Sequence, residues 1–261
     1  MAEVVVVEDD VAAGELVARA IRDLIVSKPD AVLGLATGST PLRTYRALAR
    51  LLREDLVDVS RLRGFALDEY VGLPEGHPES YRAVLDRDVV EPLGLDPTKI
   101  RVPNGAVDTI ATAGPDYERA IDEAGGVDLQ ILGIGRTGHI GFNEPGSSFG
   151  SLTRMKTLTE KTRADNARFF DTPDQVPMHC ITQGLGTIRR ARHLVLLAFG
   201  SAKADAIAAA VEGPMTASQP ASSIQMHPHV TVVVDEDAAA GLANLAYYRH
   251  AYAHKHAWQG I

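Results

Sequence analysis

Cysteine is nearly missing from this chain, with Cys180 the single one in 261 residues. That count excludes an intrachain disulfide framework and a metal site built on paired cysteines. Long apolar runs are missing too: no stretch approaches the roughly 20 residues that span a bilayer. The opening Met-Ala-Glu-Val-Val-Val-Val has no basic segment ahead of an apolar one, so a soluble, cytoplasmic protein is the default expectation. Basic clusters are equally scarce. None is longer than Arg189-Arg190, and 34 acidic side chains against 26 basic ones leave a net charge of -8, which disfavours nucleic acid or an anionic membrane as a partner. An anionic small molecule would therefore need a local nest of positive groups. There is no internal repeat, low-complexity tract or domain linker. The ordinary balance of 45% hydrophobic and 23% charged residues then points to one globular α/β domain over residues 1–261.

What is present is an alternation of two hydrophobic periods. Apolar, mostly β-branched runs predict strands at Val4–Val7, Ala31–Ala36, Leu62–Leu67, Lys99–Val102, Val127–Ile134, His193–Phe199 and Val230–Val234. Helical spacing predicts helices from Asp9 or Asp10 to Pro29, then over Leu42–Leu52, Ser80–Val90, Pro115–Ala124, Ala202–Val211 and Ala238–Ala253. Strand followed by helix, again and again, means an open, mostly parallel sheet with helices on both faces. Ligands of such sheets collect at the carboxyl ends of the strands, so the loops that follow strands are the ones to read.

Four such loops carry chemistry. Ala36-Thr37-Gly38-Ser39-Thr40-Pro41 places hydroxyls, a glycine and free amides ahead of a helix, an anion cradle suited to phosphate. It lacks the Gly-Lys-Ser/Thr ending of a P-loop, and the plainer reading is that Thr40 caps a helix opened by Pro41. Phe65–Leu73 sets Asp68 and Glu69 at the end of a strand, pointing to opposite sides, so that one can face a pocket while the other is solvated or paired. Asp68 there is either a general base or the cap of a turn. Gln130–Phe149 breaks from a buried strand into a glycine-rich loop holding His139, Asn143 and Glu144, and a histidine with a carboxylate can pass protons at neutral pH. Gly200-Ser201-Ala202-Lys203 puts a lysine near a helix start, either a surface side chain or a partner for a bound anion.

The motifs A-T-G-S-T-P, L-D-E-Y-V-G-L, G-H-I-G-F-N-E-P and D-N-A-R-F-F together resemble the glucosamine-6-phosphate deaminase family, within the wider group that also holds 6-phosphogluconolactonases. The resemblance runs from the first strand to the last helix. It implies a Rossmann-like fold, a homohexamer, no metal or redox cofactor, and conversion of glucosamine 6-phosphate and water to fructose 6-phosphate and ammonia. On that resemblance Asp68 is the base that moves protons between C2 and C1. His139 is the ring-opening acid and base, with Glu144 as its carboxylate. Thr37, Gly38, Ser39, Thr40, Arg168 and Lys203 form the phosphate site. Some members carry an aspartate two residues before the histidine; here the position is Thr137, which can hydrogen-bond but brings no charge.

The resemblance also sets Ser147, Arg154, Lys156 and Tyr247 on the positions of an allosteric site for N-acetylglucosamine 6-phosphate. Arg154 and Lys156 share one side of the extended run Thr153–Leu158, which suits an anion or an ion pair between subunits. The polar segment 159–177 is expected to be a lid that carries Arg168. His227-Pro228-His229 reads as a turn before a strand rather than a metal site, Cys180 as a small buried side chain, and His250, His254, His256 and Trp258 as surface or interface. Two other functions remain open. A sugar-phosphate lactonase needs no base at Asp68, and a non-catalytic sugar-phosphate sensor would be expected to bring a helix-turn-helix or basic patch, which the sequence does not display.

Overall fold

The computed structural model describes residues 2–261, so Met1 of the opening run lies outside them. The chain begins β1 (Glu3–Val7), α1 (Asp10–Ser27), β2 (Val32–Leu35), α2 (Leu42–Glu54), β3 (Arg63–Ala66), β4 (Asp68–Tyr70) and α3 (Tyr81–Leu85). It continues through α4 (Glu91–Leu93), β5 (Ile100–Arg101), α5 (Ile110–Glu123), β6 (Leu129–Gly133), β7 (Arg154–Thr157), α6 (Glu160–Asn166) and β8 (His179–Thr182). It closes with α7 (Leu185–Ile188), β9 (His193–Ala198), α8 (Ala204–Val211), β10 (Val230–Asp235), α9 (Glu236–Ala239) and α10 (Leu245–Ala253).

Seven strands form one parallel sheet in the order β1-β10-β9-β6-β2-β3-β5. From β2 the chain steps outward to β3 and β5, then returns to β6 on the other side and proceeds to β9 and β10. The order therefore reverses between β2 and β6, and the carboxyl ends of these two neighbours flank the crevice where such folds bind ligands. The strands are β-branched and apolar because both faces are covered, as Val4, Val5, Ile131, Leu132, Val195 and Val232 illustrate at 2% exposure or less. Asp9 caps α1 by accepting a 2.7 Å bond from the Ala12 amide, and Ala13, Val17, Ala18, Ile21 and Ile25 turn into the core. Cutting Ile21 to alanine would cost about 2–5 kcal/mol through lost burial and the cavity left behind.

Three expectations need correction. Pro41 itself occupies the cap position of α2 with no side-chain cap bond, so Thr40 is not the cap. The helix expected at Pro115–Ala124 starts at Ile110 and carries Pro115 within it. The closing helix is two, α9 and α10, broken where Gly241 passes so close to α8 that an added Cβ would lie 3.0 Å from the Ala204 carbonyl oxygen. The periodicity also did not announce a second, antiparallel sheet, β4-β8-β7, in which two strands from the region between β6 and β9 join the short strand that follows β3. Segment 159–177 bridges β7 and β8. It is anchored by Thr159, whose side chain caps α6, and by Val176, buried with Leu158, Phe142 and Tyr70.

Candidate active site

At the mouth of the β2/β6 crevice lies a cavity of about 560 Å3. Its floor on the β2 side is the loop Thr37, Gly38, Ser39 and Thr40. Gly38 sits at φ +89°, a left-handed turn that glycine adopts without strain, and α2 takes no side-chain cap from the hydroxyls of this loop. Lys203 enters from the far side of β6, where it donates to the Ile134 carbonyl at 2.7 Å, and Arg168 enters from segment 159–177. Burial holds the Lys203 ammonium below the usual lysine range, and the charges of Arg136 and Arg168 add to this against the opposing pull of Asp165. Cations crowded around hydroxyls and free amides leave a place whose charge balance an anion would complete.

Asp68 owes its position to a seam between the two sheets. Leu67 donates its amide to Leu35 in the large sheet at 3.1 Å, while its carbonyl accepts from Gln183 of the small sheet's β8 arm at 2.7 Å. The next residue, Asp68, opens β4 opposite Thr182 and lines the cavity at 6% exposure. Burial, reinforced by the charge of Glu69, pushes its carboxyl up to about 8, against the Phe142 amide, which favours the carboxylate. Glu69 turns the other way and is occupied: it accepts from the amides of Tyr70, Tyr81 and Arg82 at 2.7–2.9 Å. It pins the start of α3 and so presents Tyr81 to the cavity. The expected split, one acid in the pocket and one paired, is what is found.

The loop after β6 brings His139 to the same cavity. Gly135 and His139 close it with a 2.9 Å amide-to-carbonyl bond, and Gly138 and Gly141 both take positive φ. The Nδ1 of His139 lies 3.0 Å from the Thr137 hydroxyl and 3.5 Å from Glu144 Oε2. Burial opposes ionisation of Glu144, but bonds from His139, Thr162 and Thr137 outweigh it and hold the carboxyl below its usual range. A carboxylate behind Nδ1 leaves Nε2 as the nitrogen to work on a ligand. Asn143, named with these residues on sequence, is structural: its amide nitrogen donates to Ile140 and Gln183, and its oxygen accepts from Arg154 at 2.7 Å.

A family model described as glucosamine-6-phosphate isomerases/6-phosphogluconolactonase matches residues 9–233. The chain belongs to this family. A glucosamine-6-phosphate deaminase of Bifidobacterium longum subsp. infantis is 60% identical to it over the whole of both chains, and one of Streptomyces coelicolor is 60% identical over 99% of this chain and 100% of its own. Among solved structures, a monomeric glucosamine-6-phosphate deaminase superposes with a TM-score of 0.89 at 40% identity, covering 92% of this chain and 99% of its own. A 6-phosphogluconolactonase of Thermotoga maritima shares the fold, with a TM-score of 0.69 at 21% identity over 90% of this chain and 99% of its own.

Within this isomerase/lactonase frame, three of the four positions linked to an effector lie on β7 or the loop that leads to it, and the fourth, Tyr247, lies elsewhere in the chain. Ser147 is buried and donates to the Glu144 carbonyl at 2.7 Å, and Arg154 is anchored on Asn143. Lys156 lies two residues further along β7, whereas Tyr247 is 56% exposed on α10, which packs against β1 at the edge of the other sheet. His227 is buried in its turn, one ring nitrogen near the Ala191 carbonyl and the other near the backbone of His229. Cys180 is fully buried. Sequence reasoning missed the cavity's aromatic wall, in which Tyr70 and Tyr81 pack on Phe142 with centroids 5.7 and 5.9 Å away and Phe170 meets Tyr70 edge-on. Tyr70 and Phe142 sit inside motifs already singled out, though nothing local pairs them; Tyr81 carries no signal for a shared wall, because it comes from α3, outside those motifs.

Proposed function

We propose that this chain converts glucosamine 6-phosphate and water to fructose 6-phosphate and ammonia, in the catabolism of amino sugars. The observation that carries the reading is Asp68, a buried carboxyl in the same cavity as the His139–Glu144 pair and the nest of Thr37–Thr40, Arg168 and Lys203. The nest would hold the phosphate, and Gly38 lets the backbone come close to it. His139 would give the ring oxygen a proton and take one from the anomeric hydroxyl, opening the pyranose; Thr137 and Glu144 hold its other nitrogen. Asp68 would remove the C2 proton, leaving an enolamine, and return a proton to C1. Water adds to the resulting ketimine at C2 and ammonia departs. Binding the phosphate away from the reacting carbons fixes orientation, which general experience values at several kcal/mol.

Lactone hydrolysis has no step in which a carbon-bound proton is removed, so a buried base at Asp68 favours the deaminase, as do the names of the relatives at 60% identity. The resemblance extends the reading to segment 159–177 as a lid, to a cytoplasmic homohexamer, and to control by N-acetylglucosamine 6-phosphate at Ser147, Arg154, Lys156 and Tyr247. The solved relative at 40% identity is described as monomeric, and no helix among the described residues is long and apolar enough to cross a membrane. Release of ammonia and fructose 6-phosphate from glucosamine 6-phosphate, lost in Asp68→Asn, tests the activity. Ammonia release that persists in that variant would remove Asp68 from the role of base, and a wild type that hydrolyses a sugar-phosphate lactone without releasing ammonia from the amino sugar would favour a lactonase. Sedimentation and saturation curves with and without the acetylated sugar test the assembly and the effector.

A further inference from the structure

The carboxylate of Glu144 has two oxygens that face different parts of the protein. Oε2 faces Thr137 at 3.4 Å and His139 Nδ1 at 3.5 Å. Oε1 faces segment 159–177, where it accepts the hydroxyl of Thr162 on α6 and lies 3.5 Å from the hydroxyl of Thr159. Those two threonines brace one another: the Thr162 amide donates to the Thr159 hydroxyl at 3.1 Å, and the two hydroxyls lie 3.0 Å apart. Glu144 and Thr162 are each only 6% exposed. A helical threonine commonly returns its hydroxyl to a carbonyl one turn back. Here it is spent instead on a side chain 18 positions away in sequence, across the gap between the segment and the loop that carries His139.

We infer that Thr162 is a positioning residue, coupling the docking of segment 159–177 to the orientation of Glu144 behind His139. The inference rests on the functional reading above and adds to it a physical route by which closure prepares ring opening. With the segment down, Oε1 has its donor and the carboxylate is turned so that Oε2 backs the imidazole. With the segment raised, a buried oxygen loses its partner, and only the long contact from Thr137 is left to hold Oε2 in line. Arg168 lies on the same segment and lines the phosphate end of the cavity. Phosphate capture would thus draw down the segment that aligns the dyad, so a sugar without phosphate meets an unaligned site.

The test compares Thr162→Val, which keeps the shape and removes the hydroxyl, with Thr162→Ser, which keeps the hydroxyl. Steady-state turnover of glucosamine 6-phosphate is measured together with backbone hydrogen exchange over residues 160–166. Thr162→Val is expected to lower kcat roughly tenfold, as loss of a hydrogen bond to a charged group would, with faster exchange, and with KM within about twofold of wild type. Thr162→Ser restores both. On exchange, Glu144→Leu and Thr162→Val are expected to be non-additive, since each removes one partner of the same bond. Wild-type kcat and exchange in Thr162→Val, additive effects in the double variant, or a Thr162→Ser protein as impaired as the valine variant would each overturn the inference. A wild type that binds the sugar phosphate without turning it over would defeat the functional reading, while the exchange cycle still decides the coupling.

Discussion

The imidazole of His139 occupies the space that a side chain at Gly135 would fill. Gly135 does not have the positive φ of its neighbours Gly138 and Gly141, and the three atoms nearest to an added Cβ all belong to the ring, so the ring is the first obstacle a side chain there would meet. Gly135→Ala is therefore expected to push the imidazole off Thr137 and Glu144 while leaving the core intact. Misplacing the group by about 1 Å should lower kcat on the order of 100-fold. Steady-state kinetics beside a thermal melt check this; a normal melt with normal kcat would show that the ring can reseat.

Asp68 must be ionised to take a proton from carbon, yet burial and Glu69 hold its carboxyl up at about 8. In the free enzyme kcat/KM is expected to rise with pH up to about 8 and then level, unless a second group intervenes. A substrate ammonium arriving next to Asp68 favours the carboxylate, so the rise in kcat should lie at lower pH than that in kcat/KM. Parallel pH profiles of the two constants measure the gap, and coincident profiles would place the ammonium away from Asp68.

The same raised carboxyl has a consequence for stability. Folding favours the protonated acid, so the contribution is complete below the unfolded value near 3.8 and is lost as pH rises through about 8. Asp68→Asn is expected to match wild type near pH 4 and to become the more stable protein as pH rises. The advantage should level off above about pH 8 at roughly 2–5 kcal/mol. Chemical denaturation at a series of pH values reads this directly; parallel curves would mean the carboxyl is solvated in the folded protein.

The seven-stranded sheet was legible because both of its faces are buried, which writes β-branched runs such as Val4–Val7 and Val230–Val234 into the chain. The loops after β2, β3, β6 and β9 were legible as candidates because the parallel sheet that follows from alternation sends ligands to the carboxyl ends of its strands. The small sheet was not. Its β4 reads Asp-Glu-Tyr, a polar triplet that is buried only because Glu69 finds three backbone amides and Asp68 faces the cavity. The spacing of Arg154 and Lys156 left an anion and an ion pair between subunits open, and it carries no sign of the bond that Arg154 makes to Asn143, because that partner is set by tertiary placement. The link from Thr162 to Glu144 has no local signature, since it joins two loops through a hydroxyl.

At the opposite end of the strands from the cavity, His193 is buried, stacked on His229 at 3.6 Å and hydrogen-bonded to the Thr231 hydroxyl at 2.9 Å. Burial, with the charges of His229, His227 and Lys255, lowers its imidazole to about 3. A folded state that keeps this ring neutral has the full contribution above the unfolded value of 6.5 and loses it as pH falls toward 3. His193→Gln, which keeps a partner for Thr231, is expected to resist acid better than wild type between those limits. The difference should grow by at most about 1.4 kcal/mol per pH unit. Acid titration of the circular dichroism signal checks it, and identical transitions would mean the ring opens to solvent before it protonates.

Lys203 sits where burial and the neighbouring guanidinium groups of Arg136 and Arg168 make its charge costly, and an incoming phosphate dianion would reverse that cost. Inorganic phosphate is therefore expected to raise the melting temperature of the wild type, by linkage to the folded state. It should do so less at alkaline pH, where this lysine loses its proton earlier than an ordinary one. Lys203→Gln removes the charge while keeping a donor for the Ile134 carbonyl. It should abolish the phosphate effect and raise KM by about 100-fold, with kcat changed less, because the lost contact is shared by ground and transition states. A phosphate-dependent rise that survives in the variant would move the phosphate away from Lys203 and leave Arg168 and the Thr37–Thr40 loop to hold it.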